Sequence, residues 1–134
     1  MADQVAVIRF PGSLDHEAAA RVLEEAGAAA VVVSHHDHRL PPGTTGVVLP
    51  GGFSYGDHLR CGAIASRTPI MQAVREFANA SGPVLGICNG FQILCEAGLL
   101  PGALLSNNTQ SFICRQITLD VVDAGTRWTG EQPA

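Results

Sequence analysis

The segment Pro83-Val-Leu-Gly-Ile-Cys-Asn-Gly-Phe-Gln92 holds the residues best suited to covalent chemistry. Within it, Gly86-Ile87-Cys88-Asn89-Gly90 is G-x-C-x-G, a nucleophile-elbow pattern with sulfur in place of a serine oxygen. A nucleophile at the tip of a tight strand-to-helix turn sits in a strained backbone conformation, so its neighbours two positions away must be small. The same turn puts Cys88 at a helix N-terminus, where partial positive charge favours the thiolate that attacks a carbonyl carbon. The backbone N–H of Asn89 is then directed toward the oxyanion formed in that attack. A blander reading makes Cys88 the end of a buried strand, with glycines that serve only the turn. The flanks, an apolar strand before and a helical pattern after, favour the nucleophile.

A second loop supports this. Leu49-Pro50-Gly51-Gly52-Phe53 follows an apolar strand and opens onto the sheet edge that carries Cys88. Without side chains, Gly51 and Gly52 let backbone N–H groups approach a carbonyl closely and supply a second oxyanion donor. Other chemistry-bearing residues read more plainly. His35-His36-Asp37-His38 lies in a polar loop before Pro41-Pro42 and reads as solvated rather than metal-binding. His58 lies on the long glycine-rich loop, and Cys61 and Cys95 read as packing residues. No C-x-x-C pair occurs, and no metal site is expected.

The elements that must position the elbow are legible in the hydrophobic pattern. Val5–Phe10, Ala29–Ser34, Gly46–Pro50 and Val84–Ile87 read as buried strands, with Phe112–Val122 returning to strand. Helical spacing marks a segment from the Ser13/Asp15 caps to Gly27, another over Ile70–Ala80 behind Thr68-Pro69, and a third over Asn89–Ala97. Strands alternating with helices of about ten residues imply βαβ units and a parallel sheet. The expected fold is a three-layer α/β/α, doubly wound, mostly parallel sheet. At 134 residues, one domain over 1–134 is expected. Composition (46% hydrophobic, 15% charged) excludes a disordered segment. The net charge of −4, with every basic side chain an arginine, argues against nucleic-acid binding. Neither a membrane span nor a signal-peptide layout is seen, and a cytoplasmic protein is expected.

Beyond these physical readings, Cys88-Asn-Gly-Phe-Gln92 beside Pro50-Gly-Gly-Phe-Ser-Tyr-Gly-Asp57 resembles the class I (triad) glutamine amidotransferases, whose domain is flavodoxin-like. PGGFSYGDHLRCGAIA, PVLGICNGFQILCEAGLLPGAL, FICR and the opening FPGSLD are similar, more narrowly, to the glutaminase subunits of phosphoribosylformylglycinamidine synthases. The likeness runs from about Val5 to about Trp128. It implies that Cys88 attacks the side-chain amide of L-glutamine, that Gly51, Gly52 and Asn89 form the oxyanion hole, and that Phe53 and Gln92 hold the glutamine. It also implies that Tyr55, Asp57 and Arg60 face a partner or the site entrance. The partner is an ATP- and magnesium-dependent synthetase subunit, joined by a small accessory subunit, and this chain itself binds no cofactor.

The resemblance departs at the base. The family completes its triad with a His and a Glu after the cysteine, whereas His16, His35, His36, His38 and His58 all precede Cys88. The domain is therefore expected to be incomplete on its C-terminal side and inactive alone. An incomplete sheet should also leave apolar surface uncovered. Alternatives are a non-catalytic module docking on the synthetase, or an elbow-cysteine hydrolase or stress protein of the related superfamily.

Overall fold

The computed structural model describes residues 2–130. The backbone divides into one unit up to Leu104 and a second from Leu105 onward. All the helices and strands described here lie in the first: β1 (Gln4–Arg9), α1 (His16–Glu25), β2 (Ala29–Ser34), β3 (Thr44–Leu49), α2 (Pro69–Asn79), β4 (Val84–Gly86) and α3 (Asn89–Glu96). Two short 3-10 turns, Ser54–Asp57 and Ala65–Arg67, lie between β3 and α2.

The four strands form a parallel sheet in the order β2-β1-β3-β4. Chain order reverses between β1 and β3, so the crevice outside their carboxyl ends is where such sheets bind ligands. The carboxyl ends of β1, β3 and β4 lead into the Pro11–Asp15 turn, the diglycine loop and the cysteine elbow respectively. Parallel pairing thus delivers three loops to one edge.

Helices cover both faces, as expected. On one, Ala6, Ile8, Val47 and Leu49 pack with Ile70, Met71 and Val74 of α2 and Ile93 and Leu94 of α3. The period-2 alternation of a strand sends Val48 and Leu85 to the opposite face, where α1 lies. Coverage there is partial. An apolar cavity of about 320 Å³ opens between α1 and the strands, lined by Ala18, Val22, Val48, Leu85 and Ile87 among others.

Element ends follow local chemistry. Gly27 stops the chain after α1 at φ +91°, a conformation glycine adopts without a Cβ penalty. Pro69 opens α2 at its first position, where its missing N–H costs nothing. β3 begins at Thr44 rather than Gly46 because the register with β1 shifts between Gln4 and Val5. Thr45 is accommodated by its hydroxyl, which accepts from the Gln4 N–H at 3.1 Å and donates to the Gln4 carbonyl at 3.2 Å. β1 ends at Arg9 because the Phe10 N–H donates to Ser13 Oγ (3.0 Å), starting the next turn.

One expectation fails. Phe112–Val122 forms no strand and is exposed almost throughout. Its β-branched pattern is strand-like, but a strand needs a neighbour for its N–H and C=O groups. Among the described residues no strand pairs with it. Within the second unit, local contacts are turn-like, such as Asn107 Nδ2 donating to the Ser111 carbonyl and Gly125 N–H to Asp123 Oδ1.

Candidate active site

Cys88 caps the start of α3 with φ 53° and ψ −110°, a conformation that costs a non-glycine residue on the order of 1–3 kcal/mol. Its surroundings enforce it. The Ile87 N–H donates to the Leu49 carbonyl (3.0 Å) and the Gly90 N–H to the Ile87 carbonyl (2.8 Å), fixing the peptides on either side. A Cβ on Gly86 would lie 2.7 Å from the Gly90 carbonyl group, and one on Gly90 would collide with the Leu49 carbonyl. The glycines on both sides of Cys88 are therefore steric requirements of the bend. Cys88 itself is exposed.

The diglycine loop lies beside it. A Cβ on Gly51 would sit 3.7 Å from Cys88 Cβ and 2.5 Å from Asp15 Oδ2. Gly52 adopts φ +140°, and a Cβ there would be 2.6 Å from both the Gly12 carbonyl oxygen and the Leu14 nitrogen. The turn after β1 grips this loop. Leu14 and Asp15 N–H groups donate to the Gly51 carbonyl (3.2 and 3.3 Å), and the Phe53 N–H donates to the Gly12 carbonyl (2.8 Å). A trans peptide points its C=O and N–H in opposite directions, so the Gly52 N–H faces away from that turn. The Asn89 N–H, first in α3, has no preceding turn of helix to accept it. Gly51, Gly52 and Asn89 are the positions from which the sequence leads one to expect oxyanion donors, and the structure brings the loops that carry them together at Cys88.

The remaining residues singled out from sequence differ in their settings. The Asn89 side chain is buried; its Oδ1 accepts from the Ser54 N–H, and its Nδ2 donates to Asp57 Oδ1 and Gln92 Oε1. Gln92 is half-buried one helical turn beyond Cys88, while Phe53 is exposed. Tyr55 packs against the core, its ring edge-on to His35 at 5.9 Å, and burial pushes its hydroxyl pKa up. Arg60 makes a bidentate pair with Glu96 of α3 (both contacts 2.8 Å). Hydrogen bonding to Arg60 holds the Glu96 carboxyl below the ordinary carboxylate range.

Burial, then the charge and hydrogen bond of Asp57, raise the pKa of the Cys61 thiol. Burial, then Glu96, raises that of Cys95. Both environments work against a thiolate. Sequence reasoning missed two participants. Asp15 reads as a helix cap, yet it lies beside Gly51; the signal was that β1, like β3 and β4, must end at the ligand-binding edge. The inward role of the Asn89 side chain had no sequence signal, because two of its three partners, Ser54 and Asp57, are more than thirty positions away.

A cysteine held at positive φ between two sterically required glycines, over the carboxyl edge of a parallel sheet and against a diglycine loop, defines an elbow-nucleophile α/β domain. Residues 2–132 match the model of the CobB/CobQ-like glutamine amidotransferase domain, and the chain belongs to that family. It is 56% identical over 127 residues to phosphoribosylformylglycinamidine synthase subunit PurQ of Leifsonia xyli, covering 95% of this chain and 54% of that protein. Identity to phosphoribosylformylglycinamidine synthase subunit PurQ of Streptomyces avermitilis is 52% over 134 residues, covering 100% of this chain and 57% of the relative. Among solved structures, PurLQS from Thermotoga maritima matches with a TM-score of 0.77 and 42% identity, over 86% of this chain and 53% of that one. The chain thus spans about half the length of the relatives it matches.

Proposed function

We propose that this chain carries the nucleophile half of the glutaminase that feeds phosphoribosylformylglycinamidine synthase in purine biosynthesis. The observation that carries the proposal is the strained, exposed Cys88 beside Gly51, in a chain with this identity to PurQ subunits. The Cys88 thiolate attacks the side-chain amide carbon of L-glutamine, and the carbonyl electron pair moves onto oxygen. Gly52 and Asn89 N–H groups stabilise that oxyanion, each donor supplying on the order of 3 kcal/mol in sites of this kind. Collapse expels the nitrogen, which leaves as ammonia once protonated, and a glutamyl thioester remains on Cys88. Water then cleaves the thioester to glutamate and the free thiol. The ammonia passes to a synthetase subunit, where ATP and magnesium act, with a small accessory subunit completing the assembly. Gln92 and Phe53 hold the substrate, and the Tyr55–Arg60 segment borders the entrance or the partner. The setting is the cytoplasm; among the described residues no helix is long and apolar enough to cross a membrane.

The leaving nitrogen needs a group that delivers a proton to it, the role of the triad histidine that follows the cysteine in the family. All five histidines precede Cys88 in sequence, and parts of a catalytic triad act as a unit. Turnover by the chain alone is expected to be roughly 10³-fold or more below that of a full-length relative. A glutaminase assay of the chain, alone and mixed with a synthetase subunit, tests the reading. Residual hydrolysis that vanishes in Cys88→Ala supports it; hydrolysis indifferent to Cys88 refutes it.

A further inference from the structure

Asn89 is 2% exposed, and its carboxamide orientation is fixed by its partners. Ser54 presents a backbone N–H, which can only donate, at 3.1 Å from Oδ1. Asp57 presents a carboxylate, which can only accept when ionised, at 3.3 Å from Nδ2. A flipped amide would set donor against donor and acceptor against acceptor. With Nδ2 thereby assigned, Gln92 must offer its carbonyl, and Oε1 accepts from Nδ2 at 3.1 Å. The two N–H donors of Gln92 Nε2 then point away from Asn89.

The loop held by Asn89 is strained. Tyr55, Gly56 and Asp57 follow one another at φ 54°, 63° and 57°, in the left-handed region. Such a run persists only where its surroundings over-determine it. The anchors are the Asn89 contacts at Ser54 and Asp57 and the Tyr55 N–H donating to the Pro11 carbonyl at 2.6 Å.

We propose that the Asn89 side chain is a positioning residue. It locks the Ser54–Asp57 turn to the elbow and fixes the flip of the Gln92 carboxamide, holding Oε1 toward Asn89 and leaving the Nε2 N–H groups turned away from it, so that the site takes a substrate presenting an acceptor oxygen, a carbonyl or carboxylate, to Gln92. The second half of this statement rests on the glutaminase reading; the first does not.

The test uses the whole chain, two variants and two reagents. Asn89→Asp keeps an acceptor for Ser54 but removes the donors to Asp57 and Gln92, whereas Asn89→Leu removes both. Hydrogen exchange at the Ser54 amide reports the lock. Alkylation of Cys88 by the chloromethyl ketone analogue of glutamine, divided by its alkylation by iodoacetamide, reports Gln92. Asn89→Asp is expected to keep Ser54 protected while the reagent ratio falls about tenfold, the scale of one hydrogen bond to a charged group. Asn89→Leu is expected to lose both. An unchanged ratio in Asn89→Asp, or equal slowing of the two reagents, overturns the positioning of Gln92. Unchanged Ser54 exchange in Asn89→Leu overturns the lock. If the unsubstituted chain shows no preference for the glutamine analogue, the glutaminase reading is what fails, and Ser54 exchange still decides the lock. Should both variants fail to fold, side-chain amide exchange in the unsubstituted chain decides it: protection of Asn89 relative to exposed Asn108 upholds the lock, and equal rates overturn it.

Discussion

Gly90 of α3 lies against the Leu49 carbonyl at the end of β3, so closely that any Cβ at position 90 would collide with it. This contact joins the helix after the nucleophile to the strand before the diglycine loop. Gly90→Ala is expected to destabilise the fold by about 3 kcal/mol or more, because backbone must move on both sides. At Gly46, whose added Cβ would meet Val5 methyls at an ordinary 3.6 Å, alanine is expected to change stability by less than about 1 kcal/mol. Urea denaturation of the two variants checks the contrast.

The partly covered sheet face should be chemically visible. Val22 is 59% exposed and lines the apolar cavity beside Val48, Leu85 and Ile87. The chain is expected to bind a hydrophobic dye and to self-associate. Val22→Glu should weaken both while shifting stability by no more than about 0.5 kcal/mol. Dye fluorescence and light scattering on the variant measure this.

The Arg60–Glu96 pair clips the long loop to α3. A double-mutant cycle with Arg60→Ala and Glu96→Gln is expected to give a small favourable coupling at neutral pH, small because the Arg60 end is open to solvent. The Glu96 pKa is lowered in the folded state, so this stabilisation is present above the unfolded carboxylate value. It is lost as pH falls through the lowered folded value. Repeating the cycle in acid should abolish the coupling.

His35 behaves in the same sense at higher pH. Burial first, and the neighbouring His36 ring at 3.8 Å second, lower its pKa. The folded chain therefore binds fewer protons at His35 than the unfolded chain, and stability falls as pH drops below about 6.5. In His35→Asn, the slope of stability against pH between about 7 and 5 should flatten. NMR titration of the ring should give a midpoint below the free-histidine value.

The residues that made the site legible in sequence are those whose constraints are local. Gly86, Cys88 and Gly90 lie within one bend, and β2 has the bounds expected from its apolar run, Ala29–Ser34. Phe112–Val122 misled because β-propensity describes fit to a neighbouring strand, and no strand pairs with it among the described residues. Asp15 and the side chain of Asn89 were hidden for a different reason. Their contacts with Gly51, Ser54 and Asp57 arise only when the sheet brings separate loops to one edge. The pairing of Arg60 with Glu96 is likewise invisible in sequence, because it joins residues 36 positions apart.

Cys88 and Cys114 are both exposed thiols, but only Cys88 sits at a strained elbow beside a diglycine loop. Mass-spectrometric timing of their alkylation by the chloromethyl ketone analogue of glutamine, with and without excess L-glutamine, compares the two directly. Cys88 should be modified well ahead of Cys114, and L-glutamine should slow Cys88 alone. Equal rates at the two cysteines, with no protection by glutamine, would contradict a glutaminase nucleophile at Cys88.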